Sequence, residues 1–380
     1  MKLLFMPYPS ASGTWGCTVY QLAMAHEARR RGHSVLFHAC PPSSRLLVDN
    51  GFAVRDFEGT ESAPTSNAVR DIYDVFTSLH LNDQWGWQAL MEAELHVIEE
   101  FRPDVVLADM RPTATLSAKR CGVPIIGMAS VGTDPRLQAR AAAHPLDELA
   151  AELARQYFEQ PVASFTQLLF WTADRKLATS FASFEPELAD VPGLSYIGYL
   201  NGTNRRGLDH LPPRPDRLVV AYLSTVGWSS PTLLRSLART AELAGVTIWC
   251  VTNARGRVEQ LDERLVVFDY LPLDELLPHC LGLLFHGGQG TALASLFHGI
   301  PSIAVPGEHY ERRYNADRIA ALGCGVHAGV LDLRPRVLSR LLQQIVDDPA
   351  YAAAAVAAGV ELRALPGAVG AVDVIEDLSR

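Results

Sequence analysis

A buried strand that runs through glycines into a helix restricts a chain to few architectures, and residues 281–301 contain such a passage. Leu281 to Phe285 is an apolar run of strand length. His286-Gly287-Gly288-Gln289-Gly290-Thr291 follows, and then a helical pattern closed by His298-Gly299-Ile300-Pro301. Glycines at that junction let backbone N–H groups come close to a ligand, and the helix start adds unpaired donors and the positive end of its dipole. The stretch therefore reads as an anion site. A phosphate or pyrophosphate is the expected occupant, with His286 and Thr291 as added donors. Two adjacent glycines alone would equally suit a strand-to-helix turn that binds nothing.

The same alternation recurs along the chain. Lys2 to Met6 reads as a first buried strand, followed by a loop from Pro7 to Gly16, a helix from about Cys17 to Arg31 that Gly32 stops, and a strand from Ser34 to Ala39. This is β-α-β at the start of a parallel sheet. Ligands sit beyond the carboxyl ends of such strands, so the Pro7–Gly16 loop should face a cleft. It lacks the glycine fingerprint of a dinucleotide fold, so this half is expected to hold an acceptor rather than a nucleotide. Asp71 to Phe101 is a long, loosely helical stretch. Pro103-Asp104-Val105-Val106-Leu107-Ala108-Asp109 is a buried strand ending in a carboxylate, and Pro124 to Met128 is another strand. Asp109 stands where α/β sheets keep their sites, but capping the next helix would explain it as well. Asp134 to Gln167 is helical and rich in alanine, and Leu177-Ala178-Thr179 and Tyr196-Ile197-Gly198 are the last strands of this half.

From Asn201 to Pro215 the sequence turns polar and rich in Gly and Pro, which marks a linker. The pattern then restarts with a strand at Leu218 to Leu223, the turn Ser224-Thr225-Val226-Gly227 and a helix at Pro231 to Ala244. Strands follow at Thr247 to Val251 and Leu265 to Phe268, and Val369 to Arg380 is helical in character. With 380 residues the chain exceeds the size at which a single core stops growing, so two doubly wound α/β domains are expected.

The net charge of −9 argues against a general nucleic-acid binder. The six cysteines include no C-x-x-C pair, which suggests neither a zinc site nor a disulfide framework. The apolar run before Pro7 is too short for a signal peptide, and no stretch stands out as the roughly 20 apolar residues a membrane span needs. A cytoplasmic location is expected.

His286-Gly-Gly-x-Gly-Thr, with His298-Gly299-Ile300-Pro301, Val305-Pro306 and Asn315-Ala316, resembles the donor-nucleotide motif of GT-B glycosyltransferases. The likeness is to GT1-like bacterial enzymes that decorate natural products with sugars from nucleotide diphosphates. It covers most of the C-terminal half at motif strength and the N-terminal half in outline. It implies two Rossmann-like domains facing across a cleft: an acceptor-binding domain over 1–200, a linker over 201–217 and a donor-binding domain over 218–368. A terminal helix over 369–380 would pack back on the first domain.

Carried over from the family, the pyrophosphate contacts fall on His286, Gly288, Gln289, Gly290 and Thr291, with Thr225 opposite. The base-stacking position falls on Tyr270, in Tyr270-Leu271-Pro272, so Tyr270 and Leu271 are assigned to the donor. A buried core tyrosine is the alternative reading. Where uridine-sugar enzymes usually carry a Glu for the ribose hydroxyls this chain has Ala294, which favours a dTDP-deoxysugar over a UDP-sugar. The sugar-binding pair of the family falls on Glu311 and Arg312, whose alternative is a solvated surface; Arg312 only donates, and that suits a sugar other than glucose.

The family's catalytic histidine falls on Cys17. A thiol of ordinary pKa, about 8.5, is a poor base at neutral pH, so Asp109 is the expected base, and packing at the helix start is the alternative role of Cys17. Trp15, Phe76, Trp85 and Trp87 are expected to face an aromatic or hydrophobic acceptor, although core packing is the commoner role of such residues.

The implied reaction is inverting transfer from a nucleotide-diphosphate sugar, as co-substrate, to a small-molecule aglycone, with no bound metal and no nucleic-acid partner. A homodimer is left open. A catalytically silent GT-B partner protein is the alternative from another class. A sugar-nucleotide 2-epimerase would need acid/base carboxylates that cannot be assembled here.

Overall fold

The computed structural model describes residues 1–8, 16–57, 68–78, 81, 84–137, 144–158, 161–202, 208, 211–223, 230–252 and 259–379. They fall into two compact units. The first comprises Met1–Asn204 together with Leu365–Arg380, and the second is Arg205–Ala364.

In the first unit a seven-stranded sheet runs β3-β2-β1-β5-β6-β7-β8, every neighbouring pair parallel. Its strands are β1 (Lys2–Met6), β2 (Ser34–Ala39), β3 (Ala53–Asp56), β5 (Val105–Ala108), β6 (Ile125–Met128), β7 (Arg175–Ala178) and β8 (Leu194–Tyr196), while β4 (Ala68–Val69) lies outside it. Side chains alternate between the faces of a strand, and β1 separates two cores accordingly. Leu3 and Phe5 pack with Phe37 against Leu22, Ala25 and Ala28 of α1 (Gly16–Arg30). Leu4 and Met6 pack with Val106 and Ala108 against Val97 and Ile98 of α4 (Gln84–Phe101) and Ala114 of α5 (Pro112–Arg120). The remaining helices here are α2 (Ser43–Asp49), α3 (Ile72–Ser78), α6 (Pro145–Ala154) and α7 (Phe165–Phe170). The long helical stretch expected over 71–101 is thus two helices. The one expected over 134–167 is also two, because His144 caps α6 and Ser164 caps α7 through their side chains.

The second unit has its own seven-stranded sheet, β11-β12-β10-β9-β13-β14-β16. The strands are β9 (Leu218–Tyr222), β10 (Thr247–Val251), β11 (Glu259–Asp262), β12 (Leu265–Phe268), β13 (Gly282–Phe285), β14 (Ser302–Ala304) and β16 (Gly325–His327). Only the edge strand β11 is antiparallel to its neighbour. Helix α8 (Pro231–Ala244) starts at Ser230, whose hydroxyl accepts from the Leu233 N–H, and ends at Gly245 with φ +65°, so its limits are written in the sequence. Leu237 and Ala241 of α8 and Leu338, Leu342 and Ile345 of α12 (Pro335–Asp347) cover one face of the sheet. The other elements are α9 (Leu273–Leu276), α10 (Gln289–Phe297), β15 (Glu308–His309), α11 (Tyr310–Ala321) and α13 (Pro349–Arg363).

The last helix, α14 (Gly367–Leu378), belongs to the first unit and covers α1 with Ala371, Val372 and Ile375. Arg31 beyond α1 reaches Asp373 at 2.7 Å, Glu376 at 3.1 Å and the Val369 carbonyl at 2.9 Å. Pro349–Leu378, with a mean hydropathy of 1.4, is long and apolar enough by composition to cross a membrane, which corrects the expectation that no stretch is. Alanines carry that hydropathy, so no run of large apolar residues stands out. Here the stretch is two helices parted at Ala364-Leu365-Pro366; α13 packs on α10 so closely that a Cβ on Gly359 would lie 2.3 Å from the Leu296 carbonyl oxygen.

Candidate functional site

The second unit gathers its polar groups where β13 ends. β13 is buried between β9 and β14, and His286 follows it with only 6% of its surface exposed. Its Nδ1 lies 3.3 Å from the Tyr222 carbonyl, which that nitrogen serves as an N–H donor. Nε2 is turned toward Gly288, where an added Cβ would sit 2.6 Å from it. Among the described residues no group hydrogen-bonds this nitrogen. Burial, helped by the Arg312 charge, pushes the His286 imidazole down to about 4.

Gly287 has φ +86°, and a Cβ there would meet the Arg312 carbonyl oxygen at 2.8 Å, so no other residue fits without displacing α11. The Asn315 amide donates to the Gly287 carbonyl at 2.9 Å and pins the loop to α11 from the other side. Gly288 is the N-cap of α10 with no capping side chain, so the first-turn amides of Gln289, Gly290 and Thr291 have no acceptor within the helix. Helix α11 also begins uncapped, at His309. The His309 Nδ1 is enclosed and lacks a partner, and burial followed by the Arg312 and His286 charges pushes the ring down to about 3. Arg312, in the first turn of α11, makes no hydrogen bond or ion pair among the described residues, and burial lowers its pKa.

Of the other donor residues expected from the sequence, Glu311 is half-buried on the first turn of α11, and Tyr270 is half-buried just before α9. Leu271 is only 2% exposed, so it is a packing residue and offers a ligand no surface. Ala294 is buried within α10. Thr225 lies outside the described residues.

In the first unit Asp109 follows β5. Its backbone N–H donates to the Met6 carbonyl, and its buried carboxylate accepts a hydrogen bond from the Tyr20 hydroxyl and one from the Cys17 thiol. Cys17 and Tyr20 stand three apart on α1 and so share a face. Burial raises the Asp109 pKa against both hydrogen bonds. It also raises the phenols of Tyr20 and Tyr8, and the charges of Asp109 and Cys17 push the same way. The two expected catalytic residues are thus neighbours, and Asp109 caps nothing: α5 begins at Arg111 without a side-chain cap. Arg111 is held in turn by Glu94 at 2.7 Å, which also accepts from Thr113 and Ser117, so the segment after Asp109 is anchored by a buried, fully bonded network.

The aromatic residues correct the sequence reading. Phe76 is fully buried edge-on to Phe165 at 4.6 Å. Trp87, also fully buried, donates its indole N–H to the Leu81 carbonyl at 3.0 Å. Apolar packing holds both rings, so neither shows a free face. Trp85 is 80% exposed on the outside of α4, and Trp15 lies outside the described residues.

Tyr20 and His309 were not singled out in the sequence. The i, i+3 spacing of Cys17 and Tyr20 was a usable signal for the first; nothing local marks the second.

Comparison with known proteins follows the same division. Residues 234–378 match the erythromycin biosynthesis protein CIII-like C-terminal domain, and residues 18–181 match glycosyl transferase family 1. The chain is 30% identical over 146 residues to an erythronolide mycarosyltransferase of Saccharopolyspora erythraea, and that alignment spans 34% of the relative's length. It is 28% identical to the elloramycin glycosyltransferase of Streptomyces olivaceus, over 73% of this chain and 69% of that one. A third relative, the 3-alpha-mycarosylerythronolide B desosaminyl transferase of Saccharopolyspora erythraea, is 24% identical over 100% of this chain and 98% of its own. Among solved structures, the glycotransferase of kitacinnamycin superposes with a TM-score of 0.78 at 20% identity, covering 100% of this chain and 99% of that one. Glycosyltransferase VinC in complex with dTDP gives 0.72 at 20% identity, with the same coverage.

Proposed function

Because the chain belongs to the GT-B glycosyltransferases, among those that attach sugars to bacterial natural products, we propose that it moves a deoxysugar from a dTDP-sugar to a small-molecule aglycone with inversion at the anomeric carbon. One observation carries the donor half of this reading: a buried histidine with a free Nε2 stands over the uncapped start of α10. Such a start attracts anions through its first-turn amides and its dipole, and a diphosphate is the anion that leaves in this reaction. Ala294 supports thymidine over uridine, since an apolar side chain leaves a ribose 2′-hydroxyl without that partner. VinC, a structural neighbour, binds dTDP.

For the acceptor half, Asp109 is the base. Burial raises its proton affinity, and the carboxylate takes the acceptor hydroxyl's proton as the C–O bond forms and the bond to the diphosphate breaks. Isothermal titration calorimetry with dTDP and UDP tests the donor assignment. dTDP is expected to bind at least as tightly as UDP, and His286→Ala to weaken both about tenfold or more. Failure of both nucleotides to bind at millimolar concentration would overturn the assignment.

A further inference from the structure

Two non-glycine residues among those described have positive φ, and one of them has an ordinary reason. Arg102, at +52°, lies just past α4 and donates its N–H to the Ile98 carbonyl, the left-handed turn on which helices commonly end. Met110, at +46°, ends no helix. It stands between Asp109 and Arg111, where β5 turns into α5. A side chain disfavours that conformation, and a residue kept in it is held there by its surroundings.

Both sides of Met110 are fixed. On one, the Asp109 N–H is bonded to the Met6 carbonyl of β1 at 3.1 Å, which keeps Asp109 in line with the sheet. On the other, Arg111 is 1% exposed and all three guanidinium nitrogens are bonded: Nε to Glu94 of α4 at 2.7 Å, Nη1 to the His38 carbonyl of β2 at 2.9 Å and Nη2 to His38 Nδ1 at 3.0 Å. Arginine only donates, so that imidazole nitrogen accepts. The Phe57 ring lies beside the guanidinium, its centroid 4.7 Å away. Glu94, also wholly buried, accepts from Thr113 at 2.8 Å and Ser117 at 2.7 Å, four apart on one face of α5. The turn is therefore tied to β1, β2 and α4 at once, and the one residue between the anchors absorbs the misfit. A buried ion pair is a weak source of net stability, since apolar residues of like size often serve as well, whereas a bonded fork fixes direction.

We propose that the Glu94–Arg111 pair is a positioning device for catalysis, holding Met110 in the left-handed conformation that directs the Asp109 carboxylate at Cys17 and Tyr20 of α1. The inference rests on Asp109 being the base. With the pair loosened, Met110 relaxes toward negative φ, the turn rotates, and the carboxylate leaves the two donors that orient it. Proton transfer then slows, because a reacting group displaced by about 1 Å is poorly placed. The donor-binding residues of the second unit include none of these, so nucleotide affinity is untouched.

The test compares Glu94→Gln and Met110→Val with the wild type. Glu94→Gln weakens the clamp, while Met110→Val leaves it whole and makes the left-handed turn unfavourable, a β-branched residue tolerating it least. Circular dichroism and thermal melting report folding, calorimetry with dTDP reports the donor site, and turnover at saturating donor is followed against pH. Both variants are expected to keep dTDP affinity within about twofold and to lose kcat by about tenfold or more. The acid limb of the kcat profile should move to lower pH. Among the described residues Cys17, Tyr20 and Tyr8 are the titratable groups that act with Asp109, and the burial it loses on leaving them raises its proton affinity more than their hydrogen bonds lower it. Adding Met110→Gly to Glu94→Gln should restore kcat to within about threefold of the wild type, since glycine takes the turn without the clamp. A folded Glu94→Gln that melts lower yet keeps the wild-type kcat shows a purely structural pair and overturns the proposal. Loss of kcat with an unmoved acid limb, or no recovery with Met110→Gly, overturns it as well. Should Glu94→Gln not fold, Met110→Val decides alone, and full kcat there refutes the positioning role while leaving the base standing. Full kcat in Asp109→Asn would instead remove the base and the positioning role together.

Discussion

Among the described residues Asp109 has no histidine to orient, and its neighbours decide what it can do. Tyr20 and Cys17 both donate to it, which favours the carboxylate, while burial favours the acid, and burial wins. A carboxylate of raised pKa is a better proton acceptor for a hydroxyl than an exposed one, whereas Cys17 is a donor in this cluster. Asp109→Asn is accordingly expected to lower kcat by about 100-fold or more, with dTDP affinity unchanged. Cys17→Ala should leave kcat within about threefold. Turnover at saturating donor, read by mass against a panel of aglycones, decides it: full kcat in Asp109→Asn together with loss in Cys17→Ala would reverse the roles. Cys17 and Asp109 could both be picked out as separate residues, one from a strand end and one from a motif offset. Their contact could not, because it depends on the helical phase of α1 against a strand some ninety residues away. His309 was illegible for a related reason: a histidine before a helix looks like any surface residue until Arg312 and His286 are seen around it.

At the level of elements, the strands were legible wherever an apolar run met Gly or Pro. β1, β2, β10 and β12 begin and end at the residues the pattern indicates, and so does α8, between Ser230 and Gly245. Division of the long helical stretches was not legible, since caps such as His144 are unusual residues for that position. The pairing of α14 with α1 involves two kinds of contact of unequal weight. The Arg31 ion pairs lie partly in solvent, with Asp373 58% exposed, and such pairs contribute about 1 kcal/mol or less. Ile375 is fully buried among Leu22, Ala25 and Phe37, and its truncation costs about 2–5 kcal/mol. Ile375→Ala should therefore destabilise the first unit well beyond Arg31→Ala in urea unfolding. Equal effects would mean that charge, rather than burial, holds α14.

Across the whole molecule, enclosed histidines tie stability to pH. His286 is pushed down to about 4, His309 to about 3 and His38, enclosed beside Arg111, to about 2, against an ordinary value near 6.5. The unfolded chain takes up protons at these positions below about pH 6.5 and the folded chain does not, so stability is full above that pH and falls as pH drops toward the folded values. Each histidine can contribute a slope of up to about 1.4 kcal/mol per pH unit in that window. Asp109 and Glu94, whose pKa values burial raises, act in the opposite sense. A variant therefore isolates the histidine term: scanning calorimetry from pH 7 to pH 5 should show a shallower loss in His286→Gln than in the wild type. An unchanged slope would show that His286 gains its proton without unfolding.

The second unit is contiguous in the chain, but the first is completed only by residues made after it. On a ribosome the sheet built on β1 must wait through synthesis of the whole inserted unit, on the order of ten seconds, before α14 arrives to cover α1. Through that interval the apolar side of α1 stays uncovered, the kind of surface that chaperones bind. A premature stop just before α14 would spare the later-encoded unit and cripple the earlier one. For the same reason 205–364 is the fragment to express alone, and 1–204 is the one expected to aggregate.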